Sequence, residues 1–317
     1  MIDAVEHITN GGTPTFLIET TLNRLEYQLE FDKYQGTISR EQYISFLYGF
    51  LYDEGQEDWP VELRLKVPAY RHLAANLSLY REFLERLDEV TNATPMQEVN
   101  RILTSGLPDD FEMEELRIAI NLGIGAGNGY VHNGMAELDF LYLVQHGALN
   151  QMPYGLAHEI HHLCFAHLTP TQPTLEELLY LYFAGEGLAA KYCHNAKGRF
   201  SRPLDPNRRD HLVDPKSWKR WTKRFDQGFA MLLELRDRIR SKDIDNVERL
   251  HQAVVEAFFH KQAFRHNLLE TMGNDIFGVI HDVLGKDSVY HGVRHPSMVP
   301  LQFNQAMKKL GQPGYQL

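Results

Sequence analysis

The stretch His158-Glu159-Ile160-His161-His162 has residue types and a spacing that could do chemistry, because it contains H-E-x-x-H. On an α-helix successive side chains turn by about 100°, so His158 and His162 come back to within roughly 40° of each other and can grip one ion. Glu159 sits roughly 100° round from His158, in reach of a water on that ion without ligating it. Two neutral nitrogen donors and one carboxylate base make the set that metal-assisted hydrolysis requires.

A zinc site for hydrolysis keeps three protein ligands and one open position, so a third ligand must be found. A third histidine at the spacing H-E-x-x-H-x-x-G-x-x-H is excluded: Phe165 and Leu168 occupy those places, and His167 falls one residue short. Glu186 lies 24 residues beyond His162 in YLYFAGEGLAAKY and is the only charge between Glu177 and Lys191. A carboxylate in so apolar a run is costly unless a cation compensates it. Its neighbours Gly185 and Gly187 each cost about 1 kcal/mol relative to alanine inside a helix, and their missing side chains would let this helix approach the motif helix closely. The expectation is one zinc per chain on His158, His162 and Glu186, with Glu159 as general base. His161 is read as a packing or supporting residue, and His167 and His194 as structural or surface residues.

The elements that must position these groups are mostly helices. Ser39 opens S-R-E-Q, a capping box, ahead of an apolar face at Ile44, Phe46, Leu47, Phe50 and Leu51. Pro60 and Pro68 are expected to bracket a connector, with an amphipathic helix from Leu73 through about Val90 and another from Thr94-Pro95 to about Leu103. The texture changes near Glu115. RIAINLGIG and AELDFLYLV read as strands, and GAGNGYVHNG between them suits a hairpin or irregular ribbon. Beyond Pro153 helical periodicity returns over about 175–194, 215–240, 246–261 and 267–284, and Pro296 can start a final helix. The expected class is α+β, mostly α, with a small sheet just ahead of the motif helix.

Of the 317 residues 43% are hydrophobic and 23% charged, which is a globular composition. A net charge of −10 argues against a nucleic-acid surface. Cys164 and Cys193 are too few for a disulfide framework and read as buried thiols. The N-terminal MIDAVEHITNGGTPTF lacks the lysines and apolar core of a signal peptide, and no run approaches 18 apolar residues, so a cytoplasmic protein without a membrane span is expected.

HEIHH at 158–162 and EGLA at 186–189 resemble the glutamate-liganded zincins, or gluzincins, and among them the bacterial predicted zinc proteases that carry H-E-x-x-H followed by E-G-L-A. The resemblance is clear over about 115–195. It implies a zincin-like core, in which part of 115–145 is a sheet edge that aligns an extended peptide or unfolded-protein substrate. The expected organisation is a helical N-terminal region (1–110), a catalytic core (111–195) and a helical C-terminal region closing the cleft (196–317), together one compact unit. Many gluzincins place an aspartate four residues after the glutamate ligand to orient a histidine. Here that position is Ala190, so the partner must come from elsewhere. The family also implies an oxyanion-stabilising tyrosine or histidine, for which Tyr290, His291, Arg294 and His295 are candidates.

Peptide-bond hydrolysis is the leading expectation. A catalytically silent zincin-fold protein used for binding or regulation is one alternative. A di-iron carboxylate protein is another, because Glu248-Arg-Leu-His251 repeats the E-x-x-H pattern of Glu159 to His162.

Overall fold

The computed structural model describes residues 1–13, 15–24, 38–52, 58–91, 93–112, 116–121, 129–132, 134–258 and 268–317. Their fold is α+β and mostly α. Contacts group the chain into two compact units, residues 1–98 with 115–156 and residues 99–114 with 157–317.

The first unit opens with α1 (Ile2–Thr9), α2 (Thr15–Leu22) and α3 (Arg40–Gly49). Ser39 caps α3 in a full capping box with Gln42, and Tyr43, Phe46 and Leu47 form its buried face. The stretch between Pro60 and Pro68 is helical, contrary to the expected connector. Pro60 is the N-cap of α4 (Val61–Ala75) and Pro68 lies inside it. An internal proline costs about 3 kcal/mol, which is offset by one buried stripe of Leu63, Val67, Tyr70 and Leu73. Asn76, whose amide donates to the His72 carbonyl at 2.8 Å, separates α4 from α5 (Leu77–Thr91). Next comes α6 (Ala93–Gly106), whose residues from Val99 on belong to the second unit.

Among the described residues the sheet has three strands, β1 (Arg117–Asn121), β2 (Gly129–His132) and β3 (Met135–Asp139), in the order β1-β3-β2. Ile118 pairs with Ala136 in the parallel half, and Val131 pairs with Ala136 in the antiparallel half. Part of the expected glycine-rich ribbon is thus β2, while residues 122–128 lie outside the described residues. AELDFLYLV is not one strand. The chain turns helical after Asp139, whose carboxylate accepts from the Leu141 and Tyr142 amides and caps α7 (Phe140–Gln145). Lys66 donates to the same buried carboxylate.

The second unit takes α8 (Met152–Leu168) from Ala157 onward, followed by α9 (Leu175–His194). A Thr174–Glu177 capping box starts α9, and Asn195, at φ 53°, ends it in the left-handed conformation. From Leu179 onward nearly every side chain of α9 is buried, the mark of an interior helix. The expected helix at 215–240 is two, α10 (Pro215–Thr222) and α11 (Phe225–Arg240). They are followed by α12 (Val247–Phe258), α13 (Leu268–Leu284), α14 (Lys286–Arg294), a short 3₁₀ turn from Pro296, and α15 (Val299–Lys309). Positions 259–261 and 267, expected to be helical, lie outside the described residues. α9 and α13 approach each other closely. A Cβ on Gly187 would stand 2.0 Å from the Gly273 carbonyl carbon, and one on Gly273 would stand 2.0 Å from the Phe183 carbonyl oxygen. Among the described residues no helix is long and apolar enough to cross a membrane.

Candidate metal centre

α8 presents His158 and His162 one turn apart, with ring centroids 4.8 Å from each other. α9 brings Glu186 against both: its Oε2 lies 3.5 Å from His158 Nε2 and 3.8 Å from His162 Nε2. One donor atom from each of the three residues falls within a 4.8 Å span, and among the described residues no other group of potential metal ligands converges in this way. Donors on a tetrahedral zinc at bonds of 2.0–2.1 Å stand roughly 3.3 Å apart. Two imidazoles and one carboxylate at these separations therefore suit zinc.

Gly185 faces the motif helix: a Cβ there would stand 3.6 Å from the Phe165 ring and 3.8 Å from His162 Nδ1. Gly187 faces α13, so only one of the two glycines bears on the motif helix.

The charges at the centre are tightly coupled. Burial opposes protonation of His158, but the hydrogen bond to Glu186 and the charges of Glu159 and Glu186 outweigh it and raise its pKa. Burial dominates at His162 and lowers it. Glu186 is half-buried, and the two histidines hold its carboxyl below the ordinary range against the cost of desolvation.

Glu159, the expected base, is 8% exposed, and its charge is felt at His158. No sequence pattern announces a second carboxylate, Glu270 in the first turn of α13. Burial lifts its pKa to about 7, and it interacts electrostatically with His158, Glu186 and Glu159. Its signal is tertiary, since it lies 84 residues beyond Glu186 and is delivered by the Gly187–Gly273 crossing.

His194 also belongs to the centre, although it was expected to be structural or on the surface. Its Nε2 lies 3.0 Å from His158 Nδ1, and its own Nδ1 lies 3.2 Å from the His211 carbonyl oxygen. Burial lowers its pKa to about 3, so it is neutral. His167 is exposed. His161 is fully buried against Phe165 and Tyr192, and neither ring nitrogen has a hydrogen-bond partner among the described residues. An unpaired buried N–H costs about 1–3 kcal/mol, so His161→Phe should raise the melting temperature. Burial holds the folded pKa of His161 far below the ordinary value, so its neutral form contributes stability above about pH 6.5 that is lost as the pH falls. The advantage of His161→Phe should therefore widen between pH 7 and pH 5, as thermal melts at both values would show. An unchanged or narrowing difference would contradict this account.

A cavity of about 300 Å³ opens beside the centre. His162 and Glu186 line one side, and Leu181, Val254, Val255 and Leu269 give it apolar walls. Its other polar lining is Tyr182 and His251, whose hydroxyl and Nδ1 are 3.3 Å apart. The C-terminal oxyanion candidates lie elsewhere. The Tyr290 hydroxyl donates to the Gly106 carbonyl at 2.5 Å, Arg294 pairs with Asp110, and His291 and His295 are exposed. Both cysteines are buried and free.

The model of a family described as "Putative zinc dependent peptidase (DUF5700)" matches residues 18–312. Among curated proteins and among solved structures nothing matches.

Proposed function

The chain belongs to the family described as "Putative zinc dependent peptidase (DUF5700)", and from that premise we propose that it is a gluzincin-type metallopeptidase with one zinc on His158, His162 and Glu186. The observation that carries this reading is the convergence of those three donors on helices α8 and α9. Zinc held there supplies a Lewis acid that polarises a peptide carbonyl and acidifies a water. Glu159 would serve as the general base that takes a proton from the attacking water and passes it to the leaving amine. Tyr182 and His251, which line the same cavity as two of the ligands, are the polar side chains offered to the developing oxyanion. The test is the metal content of protein purified without chelators, followed by peptide cleavage before and after metal removal. About one zinc per chain and cleavage lost with the metal support the reading. A filled site that cleaves nothing across a broad peptide library would favour the silent, binding-only alternative. Paired irons would favour the di-iron one, although Glu248 is exposed and takes no part in the donor cluster.

The apolar walls of the cavity suit an apolar side chain next to the scissile bond. Val255→Lys places a cation on the wall without touching a ligand. It should lower kcat/KM for peptides with leucine or phenylalanine at that position by about tenfold or more, and favour acidic residues there. Zinc content should stay at one per chain. Unchanged selectivity in a side-by-side peptide series would move the substrate pocket elsewhere.

A further inference from the structure

We infer that His194 is the positioning residue of the metal centre, standing in for the aspartate that Ala190 displaces and fixing the tautomer in which His158 can bind a metal. The inference rests on the ligand assignment above and goes beyond it.

The direction of the hydrogen-bond chain follows from its last member. A carbonyl only accepts, so His194 Nδ1 must carry the proton that goes to the His211 oxygen. An imidazole that carries its proton at Nδ1 leaves Nε2 bare as an acceptor, and the group that faces it is His158 Nδ1–H at 3.0 Å. The bare nitrogen of a neutral His158 is then Nε2, the atom that faces Glu186 and the donor cluster. With the chain reversed, the proton would sit on Nε2 and block the metal.

The fold around Ala190 explains why a histidine does this from one turn further along. Ala190 is fully buried and packs with Ala196 and Leu212, so a carboxylate at 190 would be sunk among apolar groups. The loop after α9 that brings Leu212 onto Ala190 also brings His211, whose amide donates to the His194 carbonyl at 2.9 Å while its carbonyl takes the ring proton. Asn195 ties the same loop down, donating to the Asp205 and Arg208 carbonyls and accepting from the Asp205 amide. Helical side chains lean toward the N-terminus, so a long ring at the last position of α9 reaches back past the alanine toward α8.

The test is zinc affinity, measured by competition with a chelating dye at fixed pH. His194→Ala should weaken zinc binding by about 10–100-fold. His194→Gln, which keeps an acceptor near the place of Nε2, should stay within a few-fold of the wild type, and added imidazole should restore binding to His194→Ala. A purely structural role predicts equal losses in both variants and no imidazole rescue, and that result would overturn the inference, as would wild-type affinity in His194→Ala. His162→Ala is the control for the ligand assignment: if it keeps zinc, that assignment fails and not the relay alone. Should His194→Ala not fold, nitrogen-15 NMR of the zinc-loaded wild type decides. A His158 ring protonated at Nδ1 supports the relay, and one protonated at Nε2 overturns it.

Discussion

Glu159→Gln should lower kcat for peptide cleavage by about 10²–10⁴-fold while zinc stays at one per chain, the range associated with losing a positioned general base. Glutamine keeps the shape of the side chain and removes only its capacity to take a proton. The variant is informative because two carboxylates, Glu159 and Glu270, share the surroundings of His158 and Glu186. Glu159 follows a proposed ligand directly on α8, and helix geometry aims it at a water on the metal. Glu270 approaches from α13, and its pKa is raised to about 7 by burial and by the neighbouring charges of Glu186 and Glu159. On its own that value would also suit a base at neutral pH. Glu270→Gln is therefore the paired measurement, expected to cost less than tenfold in kcat. If the effects are reversed, with Glu159→Gln nearly active and Glu270→Gln silent, the base is Glu270 and the H-E-x-x-H reading of the mechanism fails. If both variants lose zinc, the carboxylates are holding the site together, and the activity says nothing about proton transfer.

What could be read from the sequence was mostly local or periodic. The Ser39 capping box, the limits of α9 and the pairing of His158 with His162 follow from neighbours within a turn or two, so propensity and the helical repeat suffice. Glu186 could be nominated because a lone carboxylate in an apolar run is expensive, whatever it packs against. The errors arose where a local pattern is degenerate. FLYLV reads as strand or helix until Asp139 is recognised as an N-cap, and the stretch from Pro60 to Pro68 reads as a connector although its buried stripe supports a helix around the proline. His194 and Glu270 were out of reach for another reason. One depends on a backbone carbonyl 17 residues away, and the other on a helix crossing that no pattern within either helix announces.

That crossing gives the second large effect, because it separates two glycines that look equivalent in G-E-G. Gly187→Ala should destabilise the protein by about 2 kcal/mol or more, lower the melting temperature by roughly 5 °C or more, and weaken zinc binding. Its Cβ would stand 2.0 Å from the Gly273 carbonyl carbon and 2.4 Å from the Asn274 nitrogen. Both are backbone atoms that cannot rotate aside, so α9 and α13 must separate. The gain in helix propensity of about 1 kcal/mol offsets only part of this. Glu186 precedes Gly187 on α9, so the same shift moves the carboxylate relative to His158 and His162. Gly185→Ala should behave oppositely. Its Cβ would make ordinary contact at 3.6 Å with the Phe165 ring, so the propensity gain survives and stability should hold or rise. Gly273→Ala should resemble Gly187→Ala, since its Cβ would meet the Phe183 carbonyl oxygen at 2.0 Å. Separating the helices once relieves both clashes, so the double variant should cost less than the sum of the two single ones. Thermal melts and zinc titrations of the four proteins read this directly. A Gly185→Ala variant more damaged than Gly187→Ala would mean that α9 is held tight against the motif helix instead, as the sequence alone suggested.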